Sequence, residues 1–120
     1  MAKGDELEER LIDFAVRIVR LCDALPKGAA PRHVRDQLLR SGTSPAPNYA
    51  EARGAESTRD FIHKLKVVIK ELNETRVWLK IVSRAGFLSG HLMEPIVDEC
   101  DQLCRVIGKS IATARSRNDD

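Results

Sequence analysis

Aromatic residues are scarce: one Trp, one Tyr and three Phe make up 4% of the 120 residues. The core must therefore be aliphatic, and few rings remain to stack on nucleobases. No apolar run reaches 18 residues, which excludes a membrane-spanning helix. Met1 to Glu9 is acidic and polar, unlike a secretory leader. The three cysteines, Cys22, Cys100 and Cys104, form no Cys-x-x-Cys pair. An odd count without a leader predicts a reducing, cytoplasmic setting in which the thiols act as small apolar residues. The seven glycines are scattered and match neither a P-loop nor a dinucleotide-binding pattern. No serine or cysteine has neighbours that would activate it, so no catalytic residue is predicted. A di-iron bundle needs Glu-x-x-His on each of two helices, whereas Asp60-x-x-His63 occurs once and His33 and His91 lack even that. No metal site and no cofactor are predicted.

What the chain does have is helical periodicity. Its length fits one domain, 1–120, with 42% hydrophobic and 32% charged residues. Leu7, Leu11, Phe14, Ile18, Leu21/Cys22 and Leu25 alternate steps of four and three, predicting a helix over about 5–25. A second helix over about 31–53 starts near Pro31, a good first-turn residue, and carries Val34, Leu38 and Leu39. It should kink near Pro45 and Pro47; a break into two shorter helices is the alternative. Ser57 with Asp60 opens a third helix, 57–85, with Phe61, Leu65, Val68, Leu72, Thr75, Leu79 and Val82 inward and Gly86 as a left-handed terminator. Ser89 can cap a fourth, 89–115, with the stripe Leu92, Ile96, Cys100, Leu103, Ile107 and Ala114, widened by Met93, Val97, Cys104 and Ile111. The tail from Ser116 should fray. The predicted architecture is all-α: an antiparallel up-down-up-down four-helix bundle.

Three features exceed what a bundle core needs. The first is a polar string on helix two, Gln37, Arg40, Ser41, Asn48 and Glu51. If the helix continues through its prolines, these fall on one flank. The structural reading has Ser41 and Asn48 satisfying carbonyls freed by Pro45 and Pro47, with Arg40 paired to Glu51 within or between subunits. The functional reading has them lining a site for an anionic ligand. The second is an additional apolar stripe on helix three, Val67, Val77, Trp78 and Ile81, with Ile12, Val16 and Val19 as a weaker counterpart on helix one. An exposed stripe of this kind predicts a subunit interface anchored by Trp78, unless a loop or terminus of the same chain covers it. The third is charge. From Ala15 to Arg84 there are fourteen Lys/Arg against seven Asp/Glu, while both flanks are acidic. Arg32, Arg35, Arg40, Arg53 and Arg59, with Lys64, Lys66, Lys70 and Lys80, are candidate phosphate contacts. A solvated, ion-paired surface is the other way to read the same charges.

The stretch Gln37-Leu38, Arg40-Ser41, Ser44, Asn48-x-Ala50-Glu51, Ser57, Asp60-Phe61 and Leu65, with the Glu71 region, Leu79 and the turn Arg84 to Ser89, resembles the small four-helix bundle proteins encoded by intervening sequences of bacterial 23S ribosomal RNA genes. The resemblance spans about Leu7 to Ala114. The family usually has one proline just before Ser/Asn-x-Ala-Glu, whereas here Pro45 and Pro47 flank Ala46; Ala52 stands where glycine is common. The resemblance implies an antiparallel bundle that assembles into a ring-like homopentamer, and no settled activity. The family is similar in architecture to the accessory variability determinant of diversity-generating retroelements, a basic pentameric barrel that engages nucleic acid and a reverse transcriptase. By that analogy RNA or DNA is the expected partner, and a protein-interaction ring with no nucleic-acid contact is the rival. Nucleic-acid binding predicts cations gathered on one face. A scaffold predicts dispersed charge beside an open apolar groove. An enzyme predicts carboxylates converging with His63 inside a cavity.

Overall fold

A computed structural model describes residues 4–119, with the side chains of 118 and 119 left aside. Five helices follow one another: α1 (Asp5–Ala24), α2 (Ala29–Thr43), α3 (Pro45–Arg53), α4 (Thr58–Arg84) and α5 (Gly90–Asp119). α2 and α3 form one bent rod, so the molecule is a four-rod bundle, 52 × 25 × 21 Å. α1 sits diagonally from α4, and the bent rod from α5; the four remaining pairs of rods pack side by side.

The bend has a local cause. Ser44, at φ −73° and ψ −35°, keeps a helical backbone between the two rod segments. Pro45 and Pro47 lack the N–H groups that would reach the carbonyls of Ser41 and Thr43. The hydroxyls of Thr43 and Ser44 donate back to the carbonyls of Leu39 and Arg40, each at 2.6 Å. Such back-bonding bends a helix further. Neither Ser41 nor Asn48 bonds the freed carbonyls. Ser41 is instead buried, and its hydroxyl shares a 2.9 Å hydrogen bond with that of Thr75 on α4. Gly42 is what lets α1 approach the bend: a Cβ there would lie 2.7 Å from Cγ2 of Ile18.

Several ends are set by caps. The rod starts at Ala29, two residues before the expected Pro31, which takes a first-turn place where its missing N–H has no intrahelical partner anyway. Arg35 closes the preceding helix: Nε donates to the Cys22 carbonyl at 3.1 Å and Nη2 to those of Leu25 and Pro26 at 3.3 and 3.2 Å. Ser57 accepts from the Asp60 N–H at 3.0 Å. Gly86 (φ 73°) ends α4, with Phe87 N–H on Val82 O and Gly86 N–H on Ser83 O at 3.1 Å each. Ser89 Oγ accepts from Leu92 N–H at 3.3 Å. α5 then runs to Asp119, so 116–119 are helical where fraying was expected; Asp120 lies outside the described residues.

The core is aliphatic, as the scarcity of rings requires. Leu11, Phe14 and Ile18 meet Leu38, Leu65, Leu72, Leu79, Leu103 and Ile107, all essentially fully buried. Burying each such side chain contributes about 1.5–3 kcal/mol. Leu92 departs from its expected place: it is 66% exposed, and Met93 holds the core position. The inward line of α5 is 93-96-100-103-107, one residue out of step with a start at Leu92. Cys100 is core, its thiol donating to the Leu72 carbonyl at 3.3 Å, and burial pushes the Cys22 thiol up to about 11.

Candidate nucleic-acid interface

The nine candidate cations divide by what they touch. Arg35 is occupied with the end of α1. Arg53 pairs with Asp5 at 2.7 Å and Glu8 at 3.2 Å, tying α3 to the start of α1. Lys64 pairs with Asp60 one turn before it at 2.8 Å, which holds the Asp60 carboxyl below the usual range. Arg40 donates to Glu71 at 3.1 Å and to Glu74. It does not reach Glu51, which is exposed and near Lys64. Arg32, Arg59, Lys66, Lys70 and Lys80 are exposed and make no ion pair among the described residues.

Four of those five lie on one line of α4. Arg59, His63, Lys66, Lys70, Asn73, Val77, Lys80 and Arg84 follow steps of four and three, and all are exposed. They stay within one strip of the helix surface about 38 Å long, with no carboxylate among them. Arg32 stands apart on α2. Arg84 and His63 belong to the line although only its other cations were candidates, and His63 faces solvent rather than a cavity.

α5 decides which part of that line is unopposed. Its first half carries Glu94, Asp98, Glu99 and Asp101 with no cation; its second half carries Arg105, Lys109, Arg115 and Arg117 with no carboxylate before Asp119. At the turn end, Lys80 and Arg84 share a 430 Å³ groove with Glu94, Asp98 and Asp101. Arg59, Lys66 and Lys70 are at the other end of the α4–α5 pair, the end to which α5 brings its basic half. An exposed basic run of this kind attracts a phosphate backbone, and the attraction falls with salt. The acidic first turn of α1 lies across the bundle from α4.

The polar string of the bent rod does not gather into one pocket. Ser41 is inside, Arg40 and Glu51 are exposed, and Gln37 and Asn48 are half-buried. Arg40 begins a network along the α2–α4 groove: Glu74 also accepts from Trp78 Nε1 at 3.1 Å, and the Trp78 ring meets His33 edge-on with centroids 5.8 Å apart. The Arg40 hydrogen bond, aided by Trp78, holds the Glu74 carboxyl below its usual range. Trp78 thus leans on α2 and the core. Val67 is half-buried, Ile81 is exposed, and Val77, 52% exposed, sits within the cation line. A second apolar strip is exposed on the opposite side of the bent rod, formed by Ile12, Val16 and Val19 of α1 and Leu39 of α2.

Among the described residues no three His, Cys, Asp or Glu side chains come together as metal ligands, and no helix is long and apolar enough to cross a membrane.

The model of the 23S rRNA-intervening sequence protein family matches residues 6–109 of this chain. The crystal structure of a protein of unknown function from the S23 ribosomal protein family of Bacteroides thetaiotaomicron superposes with a TM-score of 0.80 at 33% identity, covering 87% of this chain and 96% of that one. No curated protein matches.

Proposed function

Because this chain belongs to the 23S rRNA-intervening sequence protein family, we propose that it is a non-enzymatic, homo-oligomeric accessory factor that holds nucleic acid by its backbone, RNA ahead of DNA. The observation that carries this reading is the exposed, carboxylate-free cation line of α4, whose far end shares its end of the bundle with the basic half of α5. RNA is placed first because the family is named for an intervening sequence of ribosomal RNA genes. Contacts are to phosphate, because Trp78 and Phe14 are committed to packing and leave few rings for bases. The protein acts in the cytoplasm.

A closed ring needs two different patches that fit each other. Val67, Trp78 and Ile81 border the α2–α4 groove, and the strip of Ile12, Val16, Val19 and Leu39 borders α1 and α2, on either side of the bent rod. Joining them leaves the cation line pointing elsewhere and repeats it on every subunit, so that weak contacts add. Five subunits is the ring size that the sequence resemblance implies. The same exposed apolar strip also favours a second reading, a scaffold that captures a protein partner and never touches nucleic acid.

The test is fluorescence anisotropy of a structured RNA and a matched DNA duplex, titrated from low to physiological salt. The proposal expects RNA binding that weakens steeply with salt. Lys66→Ala with Lys70→Ala should flatten the log–log slope by about 2, one per lost phosphate contact. No binding even at low salt overturns the nucleic-acid reading and leaves the scaffold.

A further inference from the structure

A cavity larger than the groove at Lys80 and Arg84 lies off the cation line. It is a cleft of about 770 Å³ at the end where α4 begins and α5 finishes, bounded by α3, α4 and α5. Its origin is a difference in helix length. Arg10 of α1 lies opposite Glu99 and Gln102 of α5, donating to them at 2.7 and 3.2 Å. α1 therefore begins about level with Arg105, and roughly the last four turns of α5 run on without α1 beside them. Three helices remain where four would close the core.

The walls of this cleft are chemically uneven. Phe61 and Val106 supply an apolar floor, while Lys109 and Arg117 stand at the rim on α5. Neither cation has an ion-pair partner among the described residues. Arg53 also borders the cleft but is neutralised by Asp5 and Glu8. The telling side chain is Tyr49. The residue is only 6% exposed, but its hydroxyl is not among the buried unpartnered polar atoms: it makes no hydrogen bond among the described residues and opens onto the cleft. Burial also keeps this phenol protonated and able to donate. A cavity of this size, mostly apolar with a few convergent polar groups, is the usual form of a small-ligand site.

We infer that this cleft binds a nucleoside 5′-monophosphate group, its ring against Phe61 and Tyr49 and its phosphate between Lys109, Arg117 and the Tyr49 hydroxyl. The group has two sources with the same chemistry, a free mononucleotide or the phosphorylated 5′ end of a strand. The cleft is separate from the α4 line and does not depend on it.

The probes are AMP, adenosine, and a short oligoribonucleotide with and without a 5′-phosphate, followed by calorimetry with the full-length protein. The expected result is saturable binding of a phosphorylated probe and at least tenfold weaker binding of its phosphate-free counterpart. Lys109→Glu with Arg117→Glu, both exposed, should abolish binding. Tyr49→Phe should weaken it about tenfold by removing one charge-assisted hydrogen bond. Lys66→Ala with Lys70→Ala should leave AMP binding unchanged, which separates this site from the proposed backbone contact. AMP alone binding identifies the free nucleotide; tighter binding of the phosphorylated strand identifies a strand end. Absence of saturable binding by every phosphorylated probe overturns the inference, and so does binding indifferent to the phosphate or to the α5 substitutions. If the Tyr49 variant fails to fold, the α5 pair still decides.

Discussion

The two ends of the α4–α5 hairpin share one core and differ in almost everything outside it. At the turn end the chain is closed by the Gly86 motif and the Ser89 cap, and the cations Lys80 and Arg84 face Glu94, Asp98 and Asp101. At the opposite end the bundle is open for want of α1, and α5 offers Arg105, Lys109, Arg115 and Arg117 at the same end as Arg59, Lys66 and Lys70 of α4, with Lys109 and Arg117 on the cleft. Cys100 and Leu72, joined by the thiol–carbonyl contact, mark the crossover. One end is a surface at electrostatic balance; the other can draw an anion. The same net charge can therefore describe two very different surfaces, and position along the rods decides which of them a ligand meets.

The most severe way to break this comparison is to damage what both ends share. Leu72 is fully buried at the crossover. Leu72→Ala should cost about 2–5 kcal/mol of stability by lost burial plus a cavity. Thermal unfolding followed by circular dichroism measures it. The folded fraction should still bind RNA with the wild-type salt slope, since no charge has moved. A changed slope would mean that core geometry, not charge, sets the difference between the ends.

The next perturbation sits where the bent rod meets α4. Ser41 and Thr75 are the two fully buried polar side chains among the described residues, and each hydroxyl partners the other. Ser41→Val strands the Thr75 hydroxyl less than it would elsewhere, because Thr75 also reaches the Glu71 carbonyl at 2.8 Å. The single change should therefore cost about 1–2 kcal/mol, at the low side of the range for a buried orphan. Adding Thr75→Val should cost less than the sum of the two singles. Strict additivity in chemical denaturation would show that the two hydroxyls do not act as a pair.

Much of the frame was legible because spacing alone determines it. The four-three steps of α1 and α4, the Ser57 and Ser89 caps and the Gly86 terminator are local signals that packing reinforces. The one-residue slip at Leu92 shows the limit: Leu92 and Met93 both suit an inward line, and only the neighbouring rods choose Met93. Partners across rods were the least legible. Nothing near Arg40 in sequence marks Glu71 and Glu74, which are brought over by the bend, so Glu51 was the natural guess. Trp78 reads as part of an outer stripe by spacing, yet His33 and Glu74 draw it into the α2–α4 groove. The basic half of α5 was hidden by averaging, because the last thirty-six residues are acidic as a block while Arg105 to Arg117 are not. Counting charge per half-helix rather than per segment would have found it. The cleft depends on how far α5 overruns α1, a length relation that no motif encodes.

The mildest change acts at the acidic end. Asp98 and Asp101 line the groove with Lys80 and Arg84. Asp98→Asn with Asp101→Asn keeps shape and hydrogen-bonding capacity and removes two negative charges. Exposed pairs of this kind contribute only about 0–1 kcal/mol to stability, so the melting temperature should barely move. What changes is the field along α4: the unopposed part of the cation line lengthens from the stretch ending at Lys70 to one that includes Lys80 and Arg84. RNA affinity at low salt should rise by a few-fold, and the salt slope should steepen by about 1–2 as further phosphates come within reach. The gain should vanish at high salt, where the Debye length shrinks to about 3 Å. If affinity stays the same at low salt, the acids at the turn end are not what restrains that half of the line, and the contrast between the ends lies in the open architecture of the basic one.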